Sequence, residues 1–189
     1  MSLSVFADDE FRRIRDLPRR PQDFASDAEA EEAIELMTEW LKRPSGTMRL
    51  KRIQARALVE ACDVGGLAAE MGAGSGKTLV SFLLFTVWEV RRGLLLVPAN
   101  LRAQTFDEYR KMNRHWRLLP FVGMDDDEPA GPHVRVISYS ALSTVRCASF
   151  LEEQQFDLVV ADEAHNLANI RSARGRRIFR YLRNARKAA

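Results

Sequence analysis

The chain has 189 residues and a mass of 21.5 kDa, which suits one hydrophobic core and leaves no room for two full lobes. With 46% apolar and 29% charged residues it can bury a core, and its composition excludes a disordered or fibrous class. The net charge of +3 is uneven: residues 171–187 carry eight basic and no acidic side chains, and subtracting those eight leaves the remainder at −5. Such a segment faces either solvent or an acidic partner such as nucleic acid. The longest apolar run, residues 79–90, is broken by Ser81, Thr86 and Glu89, short of the roughly 20 residues a bilayer requires, so no membrane span is expected. The mixed-charge N-terminus has no secretory pattern. Cys62 and Cys147 have no metal-ligand spacing and form no disulfide framework, which points to a reducing cytosol.

Taken in order, residues 1–25, with Pro18 and Pro21, read as an irregular arm. Ser26 with Glu29 is a capping-box pair, and Ala28, Ala33, Ile34, Leu36, Met37, Trp40 and Leu41 follow at helical spacing until Pro44 and Gly46. Arm and accessory helix together occupy 1–47. A second helix is expected over 48–62, leading through Gly65 and Gly66 into a short strand, 67–69, and a glycine-rich loop. A helix over 77–91 follows, closed by Gly93 as a C-cap, and then an apolar strand over 94–97. The pattern continues with a helix over 101–113, a strand over 118–122, an acidic loop over 125–132, a strand over 134–139 and a helix over 141–154. A buried strand over 158–161 and a last helix over 178–187 complete it. Strands alternating with helices predict an α/β domain, a mainly parallel sheet with helices on both faces.

Two motifs carry chemistry. Gly74-Ser75-Gly76-Lys77-Thr78 lies between a short strand and a long apolar helix. Glycines let the backbone turn its N–H groups toward phosphates, the helix N-terminus adds positive potential, Lys77 reaches the β/γ-phosphates and Thr78 offers a hydroxyl to Mg²⁺. The general phosphate-loop pattern has glycine five positions before Gly76; this chain has Met71. The second motif, Asp162-Glu163-Ala164-His165, begins 85 residues after Lys77 and leaves the end of the apolar strand 158–161. Strand ends are where such sheets bind ligands. Asp162 can hold Mg²⁺ through water, and Glu163 can orient and deprotonate the water that attacks a γ-phosphate.

In these motifs the chain resembles the first RecA-like domain, a P-loop NTPase fold, of superfamily 2 helicases and translocases, from about Leu50 to the C-terminus. Residues 74–78 look like motif I, Asp162 to His165 like a DEAH form of motif II, and Leu96-Val97-Pro98-Ala99-Asn100-Leu101 is similar to motif Ia. Leu50-Lys51-Arg52-Ile53-Gln54 resembles the segment whose glutamine recognises adenine, which implies that role for Gln54. Ile137-Ser138-Tyr139-Ser140 looks like a motif that contacts nucleic acid. The resemblance implies ATP and Mg²⁺ as cofactors, His165 as the link between nucleotide and nucleic acid, and Pro98, Asn100, Ser138 and Ser140 as nucleic-acid contacts. His115 and His133 have no role in it. Motif Ia and residues 162–169 most resemble Swi/Snf-type duplex translocases and their phage and bacterial relatives, which implies DNA rather than RNA and a bacterial or phage-infected cytoplasm rather than a nucleus.

Residues 48–189 then form the ATP-binding lobe of a motor. The family continues into motif III and a second RecA-like domain that supplies an arginine finger, so a second domain or a partner chain is expected, with little turnover in its absence. In the family the motif III strand lies between those of motifs I and II, so a sheet that stops at Ala189 is expected to have a gap at its centre, which leaves the chain marginally stable or is filled by an added strand from a partner or neighbouring copy. In the last helix, Arg176, Arg180, Arg183 and Lys187 are expected on one face, with Ile178, Leu182 and Ala185 on another. Two other readings stay open: a P-loop NTPase that is not a nucleic-acid motor, and an inactive module of the same fold that binds partners.

Overall fold

The computed structural model describes residues 23–69, 71–72, 74–167, 169, 171–182 and 187–188. The arm expected over 1–25 lies almost entirely outside them. The elements in chain order are α1 (Asp27–Leu41), α2 (Arg52–Val64), α3 (Lys77–Val87), β1 (Arg92–Val97), α4 (Arg102–Met112), β2 (Phe121–Gly123), β3 (His133–Ser138), α5 (Val145–Glu153), β4 (Leu158–Ala161), α6 (Ala173–Leu182) and β5 (Lys187–Ala188). The five strands form one parallel sheet in the order β2-β3-β1-β4-β5, with Leu96 opposite both Ile137 and Ala161. No helix among the described residues is long and apolar enough to cross a membrane.

Alternation along the strands divides the core in two. Leu95 and Val97 of β1, Val134 and Val136 of β3, and Leu158 and Val160 of β4 face one layer, with Leu41 of α1, Leu58 of α2 and Leu79, Phe82, Leu83 and Phe85 of α3. Leu94, Leu96, Ile137, Tyr139 and Val159 face the other, with Cys147 and Leu151 of α5 and Ile178 of α6. Leu94, Leu95 and Leu96 are fully buried, and each contributes about 1.5–3 kcal/mol relative to exposure. Both faces of β1 are therefore covered, as its apolar run required.

Where element bounds differ from expectation, local chemistry accounts for the shift. Ser26 caps α1 as expected, its hydroxyl accepting from the Glu29 N–H at 3.1 Å. Helix α2 begins at Arg52 rather than residue 48, because the Gln54 side chain accepts from the Lys51 N–H at 2.8 Å and Lys51 is extended. Residues 67–69 join no ladder among the described residues; Leu67 packs against the core, but three residues without a paired neighbour do not hold strand geometry. Gly93 is not a C-cap. It lies inside β1, where a Cβ would overlap the Phe85 ring, and α3 instead ends at Trp88, with Glu89 in the left-handed region at φ 49°. The single helix expected over 141–154 is split by extended Thr144, whose hydroxyl accepts from the Cys147 N–H and starts α5. Helix α6 starts early, at Ala173, where the Ser172 hydroxyl accepts from the Gly175 N–H.

Lys187 is accordingly not on the last helix but in β5, opposite Leu158. The expected basic row reduces to Arg176 and Arg180 on α6; Arg183 and Ala185 lie outside the described residues. Of the expected apolar face, Ile178 is fully buried.

Candidate functional site

The C-terminal ends of β1, β3 and β4 lie side by side, because Val97 pairs with Ser138 and Leu96 with Ala161. Three sequence motifs thus leave the sheet at one edge, where parallel sheets collect ligands. Pro98 caps a 3₁₀ turn, Ala99–Leu101, that carries exposed Asn100. Ser138 and Ser140 bracket buried Tyr139, with their hydroxyls 3.0 Å apart. Asp162 follows β4 directly.

The loop before α3 is shaped by glycine. Gly74 and Gly76 have φ of 74° and 84°, the left-handed region that glycine enters without steric cost. Ser75 closes the turn, its N–H and hydroxyl both donating to the Gly72 carbonyl at 3.3 and 2.7 Å. Gly76 is the N-cap of α3, so the first N–H groups of that helix open toward the edge, with Lys77 and half-buried Thr78 in its first turn. Met71, where the general pattern has glycine, is buried in the core.

Lys77 Nζ lies 3.3 Å from Glu163 Oε1, which joins the loop to the DEAH turn across 86 positions of sequence. The two side chains are 38% and 36% exposed, so the pair contributes less than about 1 kcal/mol and is easily exchanged for another anion. His165 Nδ1 is 3.3 Å from the second Glu163 oxygen, and its ring is 73% exposed. Glu163 has φ 56°, a conformation that costs a non-glycine residue about 1–2 kcal/mol. Neighbouring bonds hold it there: the Asp162 N–H donates to the Leu96 carbonyl, the Tyr139 hydroxyl donates to the Asp162 carbonyl, and the Asn166 amide donates to the Glu163 carbonyl. Burial raises the Asp162 carboxyl above the usual carboxylate range; the Glu163 charge adds to this and Lys77 opposes it. Burial also pushes the Tyr139 phenol well up, with Asp162 and Glu163 acting the same way, so it remains a neutral donor.

Gln54 lies against the phosphate loop. Its amide nitrogen donates to the Ser75 and Gly76 carbonyls at 3.2 and 3.3 Å and its oxygen accepts from the Lys51 N–H. The side chain is buried, and in this conformation its polar atoms are committed to the protein. A Cβ at Gly76 would overlap the same amide, so the glycine permits this approach. Lys51, to which sequence reasoning gave no role, donates to the Gly74 carbonyl at 3.0 Å. Nothing local in the sequence assigns a role to Tyr139 either, since its tie to Asp162 depends on which strands are neighbours. His115 accepts from the Thr47 N–H, and His133 contacts the Gly131 carbonyl, both away from this edge.

The residues fit a nucleotide: two left-handed glycines, a helix N-terminus, one lysine and two carboxylates converge on one edge of a parallel sheet. Residues 32–187 match the family described as type III restriction enzyme, res subunit. Helicase SWR1 of Candida albicans is 26% identical over 129 residues, and Helicase SWR1 of Saccharomyces cerevisiae 25% identical over 129 residues; each alignment covers 62% of this chain. The chain spans 8% of the length of these curated relatives. Both come from yeasts, which lends no support to a bacterial or phage setting. The chain belongs to the type III restriction enzyme res-subunit family and is a first RecA-like domain of the superfamily 2 helicase and translocase type.

Proposed function

We propose that this domain binds ATP with Mg²⁺ at the carboxyl edge of its sheet and couples hydrolysis to movement on nucleic acid, duplex DNA in preference to RNA. The observation that carries the reading is the meeting of Lys77 and Glu163 at 3.3 Å where the glycine loop faces the end of β4. Loop N–H groups and Lys77 bind the phosphates. Lys77 then leaves Glu163 for a stronger anion, which frees the carboxylate to accept a proton from the attacking water. Thr78 and Asp162 are the donors toward Mg²⁺, which is characteristically held by one or two carboxylates together with substrate phosphates. That cation supplies neutralisation of phosphate charge.

Gln54 selects adenine by exchanging its loop carbonyls for the base edge. Pro98, Asn100, Ser138 and Ser140 form the nucleic-acid side, and His165, within reach of Glu163, joins the two. A second RecA-like domain or a partner chain completes the site with an arginine. The similarity to proteins named helicases supports this reading. Glu163→Gln is expected to keep the wild-type affinity for MgATP and to lower DNA-stimulated turnover by about 100-fold or more, since a base acts on the chemical step rather than on ground-state binding. Steady-state ATPase assays on the chain joined to its second domain test this; wild-type turnover in the variant removes Glu163 from the role.

A further inference from the structure

Tyr139 is buried, with 2% of its surface exposed, and lies between the two serines of the β3 corner. Its backbone N–H donates to the Val97 carbonyl at 2.9 Å, tying it to the end of β1, and its hydroxyl donates to the Asp162 carbonyl at 2.7 Å. That carbonyl belongs to the peptide plane joining Asp162 to Glu163. Rotating this plane changes Asp162 ψ and Glu163 φ together, and Glu163 sits at φ 56°, from which a non-glycine residue relaxes when released. The Tyr139 hydroxyl therefore restrains the torsion that aims the Glu163 carboxylate.

The other end of the tie is a firm corner. Ser138 Oγ accepts from the Ala141 N–H, the turn Ala141–Ser143 follows, and Arg177 of α6 donates to the Leu142 and Thr144 carbonyls. Leu142 is fully buried beneath it. A ligand at Ser138 and Ser140 cannot displace this backbone without moving the phenol between them.

We propose that Tyr139 is a positioning residue that relays occupancy of the Ser138–Ser140 corner to the Asp162–Glu163 peptide, so that nucleic acid sets the Glu163 turn through one hydroxyl. This rests on the function proposed above. Tyr139→Phe keeps the ring and its packing and removes only the donor. The test is ATP turnover at saturating MgATP in the same ATPase assay, with and without a short DNA duplex, for wild type and Tyr139→Phe, with labelled-ATP affinity measured alongside. In the wild type, duplex is expected to raise turnover about fivefold or more, the lower range of typical coupling. In the variant this stimulation is lost while affinity for MgATP is retained, because the base acts on the chemical step. Amide exchange of residues 162–167 in the wild type gives a reading independent of the variant's folding, and duplex is expected to alter it. Equal coupling in both proteins, or unaltered exchange in the turn, overturns the relay and leaves the nucleotide site standing; failure of the wild type to bind MgATP overturns the proposed function and the relay with it.

Discussion

Asp162 illustrates how a single residue at this edge opposes folding near neutral pH. Its carboxyl is held above its ordinary value chiefly by burial, so the native chain binds that proton more tightly than the unfolded chain does. The stability this provides is present at low pH and is lost as pH rises from the ordinary carboxylate range through the raised native value. Asp162→Asn removes the charge, and in Mg²⁺-free buffer near neutral pH it is expected to melt a few degrees above the wild type, with the difference shrinking as the pH falls into the acid range. Thermal melts at several pH values check this. A variant less stable than wild type at neutral pH contradicts the burial argument.

At the scale of elements, helix α3 is held by its two ends: Gly76 shapes its entry and Gly93 lets β1 lie against Phe85 near its exit. A Cβ at residue 93 would overlap the fully buried Phe85 ring and crowd Val134, and neither neighbour is a flexible tip. Gly93→Ala is expected to cost about 1–3 kcal/mol by overpacking, visible as a lower urea midpoint with an unchanged slope. An unchanged midpoint contradicts this packing. The same glycine marks a limit of sequence reading. A glycine shortly after an apolar helix has the spacing of a C-cap, and only the register of β1 against α3 reveals a packing role. Helix existence is legible from apolar spacing at α1 and from the apolar run behind the glycine loop at α3, and Ser26 is identifiable as a cap because its partner is three residues away. The break at Thr144 was not legible, because residues on both sides of it retain helical spacing.

For the molecule as a whole, the alternation of strands and helices made a parallel α/β sheet readable, but the order β2-β3-β1-β4-β5 was not, since it depends on long-range pairing. The expectation for the last helix failed for the same reason: Lys187 has helical spacing from Arg180 and Arg183, yet it pairs with Leu158. The parts of the candidate site are legible in local motifs: Lys77 and Glu163 each stand in a short run of sequence, and the topology brings them within 3.3 Å. What the motifs concealed were the supports, Lys51 beneath the loop and Tyr139 beneath the DEAH turn, whose partners lie 23 positions away in each case. On the proposed function, the glycine loop and the DEAH turn form one MgATP site. Titration of labelled ATP, with and without Mg²⁺, against wild type, Lys77→Ala and Asp162→Ala tests it most directly. Binding to the wild type is expected to be saturable and Mg²⁺-dependent and to weaken about tenfold or more in each variant, which is about 1.4 kcal/mol; equal affinity in all three proteins rules the shared site out.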